Sequence, residues 1–204
     1  WLERDKVLSG RQKDAIRQYV RMHTDKPEEL YQIYHAMIRG ENYKAETLEV
    51  LMEEGQPVIK IAGNEIRAAF EQLKDFVQKL ILLTERTLPL GSVVEVDIRE
   101  LKLETEKPVS SIKAVIVDRF MKKETEKQYV PYCGIIYPFG DSKKQLFFTE
   151  QAIHTVIHYG YTDRQEDAYV ALIKREIIKK GYSSYSFAEA EDDKIRMLQS
   201  DINL

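Results

Sequence analysis

The first third of the chain spaces its apolar residues like helices. In RQKDAIRQYVRMH (11–23), Ile16, Tyr19, Val20 and His23 fall on one face. TDKPEELYQIYHAMIRG (24–40) carries Leu30, Ile33, Tyr34, Met37 and Ile38 in one stripe. Asp25 and Pro27 stand at its start and Gly40 at its end, the asymmetry of helix termini. NYKAETLEVLMEEG (42–55) reads as a third helix, capped by Asn42 and stopped by Gly55. QPVIKIAG (56–63) fits either a short strand or a helical turn weakened by Gly63. The longest periodic stretch is NEIRAAFEQLKDFVQKLILLTER (64–86). Ile66, Ala69, Phe70, Leu73, Phe76, Val77, Leu80, Ile81 and Leu83 form a wide stripe there, with Asn64 as its expected cap and Pro89 beyond its end.

From Gly91 to Phe148 the period shortens to that of strands. SVVEVDI (92–98) places Val94, Val96 and Ile98 on one face; the phase slips at Arg99 and Glu100, then Leu101 and Leu103 resume it, as at a bulge or strand end. ETEKPVS (104–110) reads as a loop and KKETEK (122–127) as a charged turn. Between them SIKAVIVDRFM (111–121) is apolar on both faces around Val115–Val117, like a central strand. In QYVPYCGIIY (128–137), Tyr129, Cys133, Ile135 and Tyr137 share one parity, and Val130, Tyr132 and Ile136 the other. Pro131 cannot donate to a ladder, so it belongs at an edge or a bulge. YPFGD (137–141) turns the chain and QLFF (145–148) adds a short strand. TEQAIHTVIHYG (149–160) reads as a helix capped by Thr149, striped by Ala152, Ile153, Val156 and Ile157, and stopped by Gly160. A last helix follows in TDRQEDAYVALIKREIIKKG (162–181), with Thr162 and Gln165 at capping-box spacing. Tyr169, Leu172, Ile173 and Ile177 are expected to face inward, and Lys179 and Lys180 suit the C-terminal dipole.

These patterns predict an α+β protein. Residues 1–86 form an N-terminal helical bundle. Residues 87–181 form a small antiparallel sheet of about four strands, curling toward a barrel, with two C-terminal helices. Residues 182–204 form a polar, acidic tail. No internal repeat is visible.

Composition narrows the functional classes. A chain of 204 residues with 43% hydrophobic and 32% charged residues can bury a proper core. Its net charge of -3 is spread along the chain without a basic arm, which argues against nucleic-acid binding. No apolar run approaches the ~18 residues of a membrane span, so no membrane insertion is expected. No secretory pattern precedes the first helix, although the first residue is Trp1 rather than Met. A single cysteine suits a reducing compartment, and the expected location is cytoplasmic.

Candidate chemistry is sparse. Cys133 could serve as a nucleophile beside His154 or His158, but it lies in an aromatic strand with no local helix N-terminus to stabilise a thiolate. It reads as a core cysteine. His154 and His158 are four apart, so on a helix they could reach one metal, with Asp163 or Asp118 as conceivable further ligands. The HExxH pattern is absent and nothing specifies a third ligand. Glu53–Glu54 and the acidic run from Glu189 to Asp193 read as solvated faces rather than acid/base pairs. Phosphate-binding glycine loops and the GxSxG elbow are missing. The expectation is a chain without catalytic residues, cofactor or metal.

The tyrosine content points elsewhere. Twelve tyrosines exceed what a core requires and suit an interface, although exposed hydroxyls at a sheet–helix boundary would account for them equally. The stripe of the long helix is expected first to pack on the three preceding helices; the alternative is that its exposed parts, among Phe70, Leu73, Val77 and Leu80, meet a partner together with Tyr132, Tyr137 and Phe139 on the tyrosine strand and its turn.

The second half also resembles a bacterial family, the domain of unknown function 4176. LPLGSVV, AVIVDRF, YVPYCGIIYPFGD and LFFTEQAIHTVIHYGYTDRQED carry the resemblance in order and spacing, over roughly residues 87–175. The stretch from Arg99 to Val109 departs from the compact first hairpin expected of the family. The resemblance implies an accessory role beside LXG toxins of the type VII secretion system in Gram-positive bacteria. The partner would be the toxin or its targeting helices, bound as a one-to-one or two-to-two complex, with a homodimer as a further state. It supplies no catalytic residues. An immunity protein that neutralises the toxin domain is the alternative, and a cysteine- or metal-dependent hydrolase a more distant one.

Overall fold

The computed structural model describes residues 2–5, 7–101, 110–123 and 127–187. The loop expected at 104–110, the turn at 122–127 and the acidic tail therefore lie wholly or largely outside the described residues. The chain divides into two compact units, Trp1–Arg86 and Thr87–Leu204.

The first unit opens with α1 (Gly10–Met22) and α2 (Glu28–Arg39), as the apolar spacing predicts. Ser9 and Gln12 close a capping box on α1: Ser9 N donates to Gln12 Oε1 at 2.7 Å, and Gln12 N to Ser9 Oγ at 3.3 Å. Gly40 ends α2 in the left-handed region, at φ 69°. The expected all-helical bundle then gives way to a sheet of β1 (Tyr43–Lys44), β2 (Leu48–Glu53), β3 (Gln56–Ile61) and β4 (Asn64–Ile66), antiparallel in that order. The stretch 42–55 is thus not a helix. Glu54–Gly55 turns β2 into β3 at φ 51° and 78°, and Ala62–Gly63 turns β3 into β4 at φ 47° and 76°. Two successive positive φ values match the twist of a tight hairpin, and a helix cannot contain them. The long helix loses its first turn for the same reason. Asn64–Ile66 pairs with Ile59–Ile61, and α3 (Phe70–Thr84) begins only after it, with Gln72 Oε1 accepting from Ala69 N. The three helices pack against the strands. Ile16, Leu30, Ile33, Met37, Leu48, Ile59, Ile61, Leu73, Leu80 and Ile81 are all fully buried in this unit.

The second unit contains β5 (Val93–Asp97), the single turn α4 (Ile98–Leu101), β6 (Ser111–Lys123), β7 (Gln128–Ile136), β8 (Gln145–Phe148), β9 (Ile153–His158), α5 (Arg164–Lys180) and β10 (Ser183–Ser184). Its sheet runs β10-β7-β6-β5-β9, with β8 also on β7, and is open rather than closed into a barrel. All its pairs are antiparallel except β10 with β7. The phase slip at Arg99 is the turn α4. Pro131 falls between the segment of β7 that pairs with β8 and the segment that pairs with β10. Across from it, Phe120 adopts φ 54° while the register runs on from Arg119–Tyr132 to Met121–Val130; the one shift between β6 and β7 lies between Ile116 and Asp118.

Residues 149–160 are the main correction here. A 3-10 turn (Glu150–Ala152) leads into the strand β9, paired with β5. The register shifts twice along that pair, leaving His154 and Ile157 as extra residues. Each extra residue moves the side-chain phase by one, so a strand with two bulges spaces its apolar residues like a helix. Gly160 is not a helix stop. A Cβ there would lie 2.0 Å from Leu90 O, so glycine lets the chain pass directly over the Leu90–Ser92 turn. Its N donates to Ser92 Oγ at 3.0 Å. Helix α5 is capped by Asp163 instead of Thr162, Oδ1 accepting from Gln165 N and Glu166 N at 2.9 Å each. Ile177 is buried and Ile173 half-buried, whereas Tyr169 and Leu172 are exposed.

Candidate protein-binding face

The strand registers sort the second unit's sheet into two unlike faces. On one, Val94, Val96, Ala114, Ile116, Tyr132, Ile136, Leu146 and Phe148 form the core, together with Leu88 and Ala152. Tyr132 anchors it: its ring stacks on Phe148 at 5.7 Å, and its hydroxyl accepts from Leu88 N at 3.1 Å. Gly134 sits opposite Ile116 because a Cβ would crowd Val115 O at 3.0 Å and the Phe148 ring at 3.1 Å.

The other face carries a cross-strand row. His158 pairs with Val93, Val93 with Val115, Val115 with Ile135, and Ile135 with Gln145. Val93, Val115 and Ile135 are only half-buried, as is Phe147 beside them. One step along, Tyr137 N donates to Lys113 O at 2.8 Å, which sets Tyr137 next to Lys113 at the end of the row. The β7–β8 turn then projects Phe139. Tyr137 is 55% exposed and Phe139 80%. A half-open aliphatic row that ends in two exposed rings is a candidate contact surface.

The seven residues expected to touch a partner separate accordingly. Leu73, Val77 and Leu80 are buried in the first unit, Phe70 is half-buried, and Tyr132 is buried in the second. The long helical stripe is consumed by its own unit, which is the packing expected of it, with strands as well as helices α1 and α2 against it. Tyr137 and Phe139 are at the surface. Val93, Val115, Ile135 and Phe147 join them on this face; the sequence showed Ile135 and Tyr137 in phase, but not which neighbours lay beside them. A second exposed apolar group surrounds the β9–α5 junction: Leu90, Ile157, Tyr159, Tyr161, Tyr169 and Leu172.

The candidate reaction groups do not converge. Cys133 is a free, buried cysteine, and burial, with a lesser contribution from the Asp118 charge, pushes its thiol up to about 11. It is protonated at neutral pH, the opposite of an activated nucleophile. His154 and His158 lie on the bulged strand β9 and not on the expected helix, so the one-turn helical spacing that would have aimed both at one metal ion is absent. Among the described residues no group of three His, Cys, Asp or Glu side chains is placed to hold a metal.

Two polar clusters fix the elements around the core. The Arg119 guanidinium, almost wholly buried, grips Glu166 on α5 through both its terminal nitrogens, and Nη1 also donates to Leu88 O at 3.2 Å. Glu150 accepts from Ser186 Oγ at 3.2 Å. Burial raises its carboxyl to about 7, against the opposing effects of that hydrogen bond and of the Lys174 charge. Among the described residues no helix is long and apolar enough to cross a membrane.

The family model of the domain of unknown function DUF4176 matches residues 87–169, within the second unit. No curated protein and no solved structure matches the chain.

Proposed function

We propose that this protein is a non-enzymatic accessory factor that binds another protein: a chaperone or targeting factor for an LXG toxin of a type VII secretion system. The observation that carries the reading is the Val93–Val115–Ile135 row with Tyr137 and Phe139 at its end. Such a factor acts in the cytoplasm, where it shields an apolar helical segment of its client before export. The resemblance to families encoded beside LXG toxins selects the client, and the open face supplies the means of holding it.

Burying Phe139 and Tyr137 on a client would contribute about 1.5–3 kcal/mol per ring. Tyr137→Ala/Phe139→Ala therefore lowers affinity at least tenfold while leaving the fold intact, because both side chains are exposed. The test is co-expression with the neighbouring LXG protein, followed by gel filtration and calorimetric titration. Separate elution of the two proteins at micromolar concentration would sink the proposal. So would undiminished binding by the double variant.

A further inference from the structure

The open face also specifies what kind of segment it receives. Lys113, Lys143 and Lys144 are exposed around Tyr137 and Phe139, and none of them forms an ion pair among the described residues. Lysines elsewhere are commonly engaged: Lys44 with Glu49, Lys60 with Glu65, Lys79 with Asp75 and Lys122 with Glu176. Three acids share this side, Glu95, Asp118 and Asp141, and none of them forms an ion pair with these lysines. Glu95, across from Lys113, accepts from Ser111 Oγ, and Asp141 accepts from Lys143 N at 2.9 Å. Three exposed lysines thus stand on the strand end and the turn that carry Tyr137 and Phe139.

The row's spacing favours a helix. Adjacent strands lie about 4.8 Å apart. A helix turns every ~5.4 Å, so one laid across β5, β6 and β7 presents about one side chain to each strand. We propose that the segment recognised by this face is an amphipathic helix with an acidic flank. Its apolar side chains seat on Val93, Val115 and Ile135 and against Tyr137 and Phe139, and its carboxylates pair with Lys113, Lys143 and Lys144. This rests on the protein-binding reading above and adds the chemistry of the partner.

The experiment uses two synthetic 20-residue amphipathic peptides with the same leucine stripe, one with a glutamate polar face and one with a lysine polar face. Binding to the full chain is followed by fluorescence anisotropy at 50 and 500 mM salt. The acidic peptide is expected to bind at least tenfold more tightly at low salt, and to lose about fivefold at high salt. K113E/K143E/K144E should invert the preference, and its thermal melt should match the wild type because all three lysines are exposed. Equal binding of the two peptides overturns the proposal. So does an unchanged preference in the triple variant, or binding of phosphatidylserine vesicles with no binding of the acidic peptide. Undiminished capture of the LXG protein by the triple variant would remove this inference and leave the accessory role standing; failure of the wild type to capture it would remove both.

Discussion

Replacing Glu166 by Gln tests what positions α5. The wild-type pair is two-pronged, with Arg119 Nη2 at 3.1 Å from Glu166 Oε2 and Nη1 closer still to Oε1. The Arg119 side chain is only 3% exposed and that of Glu166 20%. Removing the carboxylate charge leaves a guanidinium buried with only the Leu88 carbonyl and an amide oxygen near it. Breaking a fully buried pair costs about 3–5 kcal/mol. With Glu166 partly wet, the expected loss is about 2–4 kcal/mol. Removing both charges with Arg119→Met/Glu166→Leu abolishes the stranded cation and leaves mainly the Leu88 carbonyl without its donor, so the double variant should lose only about 1–2 kcal/mol. Urea unfolding by circular dichroism gives the global value. Hydrogen exchange of peptides covering 87–92 and 164–180 locates it. A Glu166→Gln variant within 0.5 kcal/mol of wild type refutes the reasoning, and so does a double variant less stable than the single one.

Three further outcomes are expected. Glu150 titrates near 7 in the folded chain against an ordinary value of 4.5, so the folded state loses stability as pH rises through that interval and keeps the full penalty above it. Glu150→Gln should therefore stabilise the protein, with a gain about 2 kcal/mol larger at pH 8 than at pH 5, and a pH-independent gain in thermal melts would contradict this. Glu54 and Ala62 hold φ 51° and 47° in the two hairpins of the first unit. Glu54→Asn and Ala62→Asn should each stabilise by about 0.5–1 kcal/mol in urea titrations, because asparagine tolerates that region, and a loss in both would speak against the turn geometry. Gly160→Ala should cost about 2–4 kcal/mol, since its Cβ would meet the Leu90 carbonyl at 2.0 Å; a neutral effect in the same titration would show that the Leu90–Ser92 turn yields freely.

The parts of the fold legible in the sequence were those set by local rules. Helices α1 and α2 announce themselves by a stripe with a cap at one end or Gly40 at the other, and β5, β6 and β7 by β-branched runs. Three stretches misled for physical reasons. Residues 42–66 contain two X-Gly turns eight residues apart, Glu54–Gly55 and Ala62–Gly63, a spacing that fits one hairpin arm between them. Neither carries the Asn-Gly or Asp-Gly pair that usually marks such turns. Residues 149–160 form a bulged strand whose phase slips imitate a helical stripe. The inward side of α5 was misjudged because Tyr169 and Leu172 are apolar in type but lie on its outer flank. The candidate site was legible only in part. Tyr137 and Phe139 follow from a proline–glycine turn that has to lie at the surface, whereas the row beside them depends on long-range register, which no local pattern encodes.

The proposed adhesive role rests on the same registers. Each strand alternates, so filling the core with Tyr132, Phe148 and Ile116 obliges Val115, Ile135 and Phe147 to face the other way. Those positions could have been polar, as an antiparallel sheet with one wet face normally has them. They are aliphatic or aromatic, they are only half-buried, and the residues that rim them are lysines rather than a nucleophile with a base. Nothing in the alternation rule requires greasy residues on that side, and leaving them half-open adds nothing to the unit's own core. The proposed partner would account for their presence, and Lys113, Lys143 and Lys144 at the margin are the charges it would meet.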